Sequence, residues 1–316
     1  MFVAILFLIV FAFVVYQKTT RGVCTSTTRL DGKVAIVTGG TAGIGREIAL
    51  DFAKRRAKVI IACPFRDEGE AARNEIIKVS GNKQVIYEFL DLSSLKSTRE
   101  FASNILKTEP RLDILVNNAG VGTVGDFMTK DGLNFIMQVN YFGHFLLTLL
   151  LLPLLKKTTS SRIVNQTSVL NMIGSVNIKF LNTIQGYWNT LQLYSNSKLC
   201  LILFGKELSR KLKHSGVSIN CSDPGAVGTN IFANLGQILG KFLQYIFLTV
   251  FKTPEYGAQT AIHVAVDAGV DVSGEVFRDC RLSWFCNRQA FDEELCSKLW
   301  EETIKLVQLQ DHEIQV

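Results

Sequence analysis

Short apolar runs rich in Val and Ile recur along the chain, each followed by a stretch with helical periodicity. The runs Lys33–Thr38, Lys58–Ala62, Gln84–Phe89, Asp113–Asn117, Arg162–Thr167, Val217–Cys221 and a last one near Gly274–Phe277 read as strands. Most are apolar at consecutive positions, as expected of parallel strands buried on both faces. Helices are expected between them, at about 46–56, 68–79, 95–108, through Tyr194 to about His214, from Thr253-Pro254-Glu255, and as a charged amphipathic tail over about 291–309. This alternation predicts an α/β fold with a doubly wound parallel sheet of about seven strands flanked by helices.

Three apolar stretches need separate accounts. Leu133–Leu155 has a membrane-like composition, but Pro153 near its end and His144 argue for a core helix. Met1–Tyr16 carries no charge and no Gly, Pro or Ser, and Lys18 and Arg21 follow it. A cleaved signal peptide would want basic residues before the run and a small-x-small site after it. An uncleaved anchor over residues 1–17 is the better reading, with the bulk of the protein facing the cytoplasm. Residues 18–30 form a polar linker, and 31–316 a single catalytic domain. Ile231–Phe251 is mostly apolar, with Lys241 inside it, and reads as a lipophilic lid within 229–253; packing in a core or subunit interface is the alternative.

Composition narrows the class. The 316 residues are 47% apolar and 20% charged with a net charge of +6, which fits a globular domain with a large core. Lys and Arg are scattered and not interleaved with aromatics, so nucleic acid is not expected as a partner. The seven cysteines are irregularly spaced and the four histidines dispersed, which points to reduced thiols and no structural metal, with Cys200 and Cys221 as core packing.

Two motifs carry chemistry. Gly39-Gly40-Thr41-Ala42-Gly43-Ile44-Gly45 lies between the first strand and the first helix. In that context glycines let the backbone approach a pyrophosphate, and the helix N-terminus adds N–H groups and partial positive charge. Tyr194 and Lys198 stand four apart, on one face of a helix. An ammonium beside a phenol favours phenolate, so the pair can exchange a proton with an alcohol oxygen. A solvated helix face also carries Tyr and Lys at this spacing, so the pair gains weight only from its companions. After the second strand comes Cys63-Pro64-Phe65-Arg66-Asp67. With no acid at the strand end, Arg66, helped by Arg46, is a candidate for a ribose 2′-phosphate and hence NADP(H). Solvated arginines are the plain alternative, and Asp67 keeps NAD(H) open.

Thr38-Gly39-x-x-x-Gly43-Ile44-Gly45, Asn117-Asn118-Ala119-Gly120, Asn140, Ser168, Tyr194-x-x-x-Lys198 and Pro224-Gly225 occur in the order found in short-chain dehydrogenases/reductases, and the chain resembles that family over roughly residues 30–280. The stretches Asn140–Thr148, Ser161–Asn165, Lys252–Glu255 and Ser273–Cys280, with the apolar N-terminus, resemble its membrane-anchored retinol dehydrogenase group. Pro64 departs from the Arg usual in that group, and Thr167 replaces the first Ser of a common Ser-Ser pair.

The resemblance implies a Rossmann sheet and a catalytic tetrad. Tyr194 would be the general acid/base. Lys198 would tune it and hold the nicotinamide ribose. Ser168 would bind the substrate oxygen, and Asn140 a water relaying protons to Lys198. Gly39, Thr41, Gly43, Ile44 and Gly45 would line the pyrophosphate, Asp91 and Leu92 the adenine, and Asn118, Ala119 and Gly120 the adenosine ribose. Pro224, Gly225 and Thr229 would sit at the nicotinamide end. The expected activity is NADP(H)-dependent interconversion of a hydrophobic alcohol (retinoid, steroid or isoprenoid) and its carbonyl. The expected setting is a membrane, endoplasmic reticulum or lipid droplet, with membrane lipid as a partner and a homodimer allowed. The competing class is a silent nucleotide-binding scaffold, which a broken tetrad would favour; all four residues are present.

Overall fold

The computed structural model describes residues 21–122, 124–184, 190–227, 252–310 and 313. Seven strands pair in parallel: β1 (Val34–Thr38), β2 (Lys58–Cys63), β3 (Val85–Phe89), β4 (Ile114–Asn117), β5 (Ser161–Gln166), β6 (Val217–Asp223) and β7 (Val276–Arg278). An eighth, β8 (Arg281–Leu282), runs antiparallel to β7. At two residues it is too short to show alternation, which is why the sequence suggests about seven. The spatial order is β3-β2-β1-β4-β5-β6-β7-β8. The direction of winding reverses between β1 and β4, so a crevice opens beyond their carboxyl ends, where Thr38 and Asn117 stand.

Every residue of β1 and β4 is buried because helices cover both faces. Side chains from α3 (Leu95–Thr108), α4 (Phe135–Lys157), α5 (Thr190–Lys211) and α7 (Glu293–Leu306) form the larger core on one face. On the other face lie α1 (Gly43–Lys54), α2 (Arg66–Ser80) and α6 (Pro254–Val266). Several ends differ from expectation. Helix α1 starts at Gly43, because the glycine turn itself becomes the first helical turn. The tail is a short 3-10 turn, Arg288–Phe291, followed by α7, which starts where the Asp292 side chain accepts from Leu295 N–H. The connection after β5 holds two 3-10 turns, Val169–Ile173 and Ile178–Phe180.

The apolar segment around 133–155 is a core helix. In α4, 89% of the most apolar window is buried. Its Phe145 packs 5.0 Å from Phe204 and 5.1 Å from Trp300, ring centre to ring centre. A π-helical turn at Gln138–Phe142 widens the helix where Asn140 lies. The expected anchor and the candidate lid fall outside the described residues, except that Lys252 bridges to Val227 at the lid's end. Residues 21–30 of the linker have no helix or strand. Asn165-Gln166-Thr167 matches the Asn-x-Thr pattern of a glycan acceptor but is sealed in place: Asn165 is fully buried, accepts from Asn117 Nδ2 at 2.9 Å and donates to the Leu201 carbonyl at 3.1 Å. A glycan has no access to it in the folded chain.

Truncating Phe145 to Ala removes a ring at the centre of the α4–α5–α7 contact. Equilibrium urea unfolding should show a loss of about 3–5 kcal/mol. A loss under about 1 kcal/mol would mean that this aromatic cluster does not hold the helices together.

Candidate active site

Helix α5 is fastened to the end of β5 by two bonds running in opposite directions. Lys198 Nζ donates to the Gln166 carbonyl at 3.0 Å, and Thr167 Oγ1 donates to the Lys198 carbonyl at 2.8 Å. The Thr that replaces a Ser therefore keeps a hydroxyl with a structural task. Ser168 follows at once, and its hydroxyl is within hydrogen-bonding reach of the Tyr194 phenol. The expected trio Ser168, Tyr194 and Lys198 thus converges at the carboxyl end of the sheet, with all three buried.

The electrostatics differ from the simple expectation. Tyr194 is not lowered: burial pushes its phenol up to about 12, against which the Ser168 hydrogen bond acts only in part. Lys198 is 5.7 Å from the centre of the Tyr194 ring, and its ammonium is aimed at the Gln166 carbonyl. Burial brings Lys198 down to about 8. Desolvation therefore outweighs the Lys–Tyr attraction in this arrangement.

Asn140 completes the cluster as a strap. Its Oδ1 accepts from Val121 N–H at 2.8 Å, and its Nδ2 donates to the Val121 carbonyl and to Ser197 Oγ, each at 3.0 Å. Gly120 lies just before: a Cβ there would sit 3.3 Å from Lys198 Nζ and 3.4 Å from Asn140 Oδ1.

Two residues that sequence reasoning missed join this strap to the glycine turn. His144 Nδ1 is 3.0 Å from the Asn140 carbonyl, which can only accept, so Nδ1 carries the proton. Nε2 must then accept from Thr38 Oγ1 at 2.9 Å. Thr38 Oγ1 in turn accepts from the N–H groups of Asn118 and Ala119 at 2.9 and 3.0 Å. Burial holds His144 down at about 3, so the ring is neutral. Position alone hinted at these roles: Thr38 ends the strand before the glycines, and His144 stands one turn after Asn140.

The glycine turn fits a dinucleotide phosphate. Gly39 and Gly43 have φ of +63° and +54°. A Cβ on Gly45 would fall 2.2 Å from the Gly39 carbonyl oxygen. The N-terminus of α1 begins at Ala42 with no side-chain cap, so its first N–H groups are left for an anion. Thr41 bonds Cys63 at the end of β2, and Ile44 packs against the α1-side core. Asn118 Nδ2 ties the β4 end to the Thr38 carbonyl at 2.9 Å. Asp91 holds its own turn by accepting from Ser93 N–H and Oγ, and Leu92 is core. Gln166 and Ser222 are register partners across β5 and β6, and the Gln166 side-chain amide and the Ser222 hydroxyl are buried without a hydrogen-bond partner among the described residues. Such atoms suit a polar group brought in at the strand ends.

The two expected arginines part company. Arg46 is engaged by Glu47 and by both carboxylate oxygens of Glu75, so it is not a free cation. Arg66 opens α2, is exposed, and makes no ion pair among the described residues. The Pro224-Gly225 turn is held by groups to which the sequence reading gave no role. Asp223 accepts from Gly225 N–H at 2.8 Å and pairs with Arg278 at 2.5 Å, while Lys252, paired with Asp279, packs under Gly225. Thr229 lies outside the described residues.

The short chain dehydrogenase family model matches residues 33–238. The chain belongs to the short-chain dehydrogenase/reductase family. It is accordingly an NAD(P)-dependent oxidoreductase. It is 40% identical over 296 residues to retinol dehydrogenase 11 of Homo sapiens, covering 93% of this chain and 91% of that protein. Among solved structures, an uncharacterised protein from Mycobacterium paratuberculosis superposes with a TM-score of 0.74 at 26% identity, over 93% of this chain and 100% of the other. The NADP complex of Pseudomonas aeruginosa RhlG gives 0.64 at 25% identity, over 79% and 96%.

The neutral His144 generates a pH prediction. Its folded value lies below the usual 6.5, so the unfolded chain binds the extra proton first as pH falls. The stabilisation is complete above about 6.5 and declines toward about 3, by about 1.4 kcal/mol per pH unit for this one group. Urea unfolding of wild type and His144→Gln between those limits should show a steeper acid loss in wild type. Parallel slopes would remove His144 from the account.

Proposed function

We propose that this enzyme interconverts a hydrophobic alcohol of retinoid, steroid or isoprenoid type with its aldehyde or ketone, using NADP(H). The observation that carries the reading is the buried convergence of Ser168, Tyr194 and Lys198 at the carboxyl end of β5, beside the glycine turn. Gly39, Gly43, Gly45 and the Asn118–Gly120 turn would hold the dinucleotide, which when bound would supply or accept the hydride.

In this reading the protein handles the proton. Ser168 hydrogen-bonds the substrate oxygen and steadies it as charge changes there. Tyr194 gives its proton to that oxygen in reduction and recovers it in oxidation. With its phenol raised to about 12, Tyr194 is protonated at neutral pH, the form required to reduce a carbonyl. Lys198, about 8, is mostly charged there and favours the phenolate needed for the reverse direction. Asn140 keeps the 120–121 turn and Ser197 in register around Lys198.

Arg66 supports NADP(H), since a free cation at the start of α2 suits a 2′-phosphate better than an acid-lined strand end would. Lipophilic substrates follow from the retinol dehydrogenase likeness and from the apolar runs 1–16 and 231–251. Lys18 and Arg21, just after the apolar run, support a catalytic domain on the cytoplasmic side of a membrane, the endoplasmic reticulum in this reading.

One experiment tests the reading. Intact microsomes carrying the full chain are given NADPH or NADH with retinoid, steroid and isoprenoid carbonyls. Turnover without detergent, faster with NADPH, is expected, because charged nucleotides reach only an outward-facing site. Arg66→Ala should erode the preference by about ten-fold, the loss of one charge-assisted contact. A preference for NADH would overturn the cofactor assignment, activity seen only after detergent the orientation, and no turnover on any lipophilic carbonyl the substrate class.

A further inference from the structure

The segment from Arg281 to Phe291 presents more bare aromatic surface than any catalytic role accounts for. Trp284 is 92% exposed, Phe285 66% and Phe291 67%. Leu282 on β8 is exposed as well. Arg281, just before Leu282, and Arg288, between Phe285 and Phe291 in the chain, are both exposed and without an ion pair among the described residues.

The neighbouring acids are already engaged. Glu275 is paired with Lys206, Asp279 with Lys252, and Glu293 with Arg210. Asp292 is committed to the N-terminus of α7. The segment is therefore aromatic, with Arg281 and Arg288 unpaired among the described residues and the Lys206 ammonium 5.7 Å over the Phe291 ring.

The patch is also firmly based. Asn287 beneath it is buried, and its Nδ2 donates to the carbonyls of Asn171, Met172 and Gly174. Gln289 bonds both the N–H and the carbonyl of Val176. Cys286 and Ala290 pack inward against Ile202, Cys221 and Val276. The aromatic rings thus stand on a loop tied to the chain that follows Ser168. Ser175 and Val176 of that chain also line a cavity of about 490 Å³, together with Phe180, Ile184 and Leu193.

We propose that Trp284, Phe285 and Phe291 dock into the interface of a lipid bilayer, with Arg281 and Arg288 on its anionic headgroups. Trp and Phe flanked by unpaired Arg match the amphipathic character of that interface. Aromatic surface this exposed is costly in water and calls for a cover. The surface is a second membrane contact, distinct from the apolar N-terminal run. It brings the loop after Ser168, and the cavity beside it, to the lipid from which a lipophilic substrate would come. This deepens the membrane reading above but stands on the loop's own residues.

The test uses the full chain reconstituted into vesicles containing phosphatidylserine, with bromine-labelled lipid as the quencher. The chain has three tryptophans, Trp188, Trp284 and Trp300, and subtraction of Trp284→Phe from wild type isolates the Trp284 signal. Bromolipid quenching of that signal is expected, together with protection from aqueous iodide. Replacing Arg281 and Arg288 by Gln, two exposed positions, should weaken the loop's surface equilibrium about thirty-fold on anionic lipid. It should leave turnover of a detergent-dispersed substrate unchanged. A Trp284 that stays open to iodide in vesicles overturns the proposal. So does protection from iodide without bromolipid quenching, which would mean a second copy or another protein covers the patch. Loss of turnover on lipophilic substrates, with quenching intact, would instead fall on the substrate assignment alone.

Discussion

A buried ammonium is the constraint around which this active site is built. Lys198 is nearly fully enclosed, and its visible partner is a backbone carbonyl, that of Gln166, rather than a carboxylate. A charge placed so is costly to desolvate, and its ionisation falls toward neutrality as a result. The protein tolerates it because Thr167 locks the same turn of α5 onto β5 from the other side. The lysine is thereby fixed relative to Ser168 and Tyr194, which share the same two elements. A carboxylate partner would have quenched its charge; a carbonyl leaves most of it to act on whatever anion forms nearby.

A neutral relay carries this rigidity across the crevice. Asn140 on the π-turn of α4 clamps Val121 and Ser197, His144 one turn on grips the Asn140 carbonyl, and Thr38 passes the connection to the N–H groups after β4. The glycine-turn end and the Ser168–Tyr194–Lys198 end are joined by hydrogen bonds among uncharged groups. Since none of them needs a proton exchange to persist, the geometry holds across the neutral range while Lys198 titrates.

Much of this was legible from residues. The strands announced themselves as apolar runs because parallel strands covered on both faces have no polar alternation to hide in. The convergence of Ser168, Tyr194 and Lys198 was legible because Ser168 follows a strand end and the other two share a helix face, whereas Asn140 sits on the π-turn of α4, which no spacing announced. Pairing, by contrast, was not legible. That Arg46 is consumed by Glu75, 29 residues away, or Asp223 by Arg278, depends on which elements the fold brings together. The direction of the Tyr194 shift was misjudged for a similar reason: spacing shows that a Lys is near, but only burial shows that desolvation is larger. His144 looked like a marker against a membrane span, and its work became visible only with both ring nitrogens in contact.

The central claim is that Tyr194 moves the proton while its neighbours hold the nucleotide, so the two tasks separate on one atom. The most direct measurement is turnover and NADPH affinity of Tyr194→Phe, the latter by fluorescence titration. The account predicts that turnover falls by at least about 100-fold, the scale of general acid–base catalysis, with nucleotide affinity within a few-fold of wild type. Near-normal turnover in that variant would contradict it.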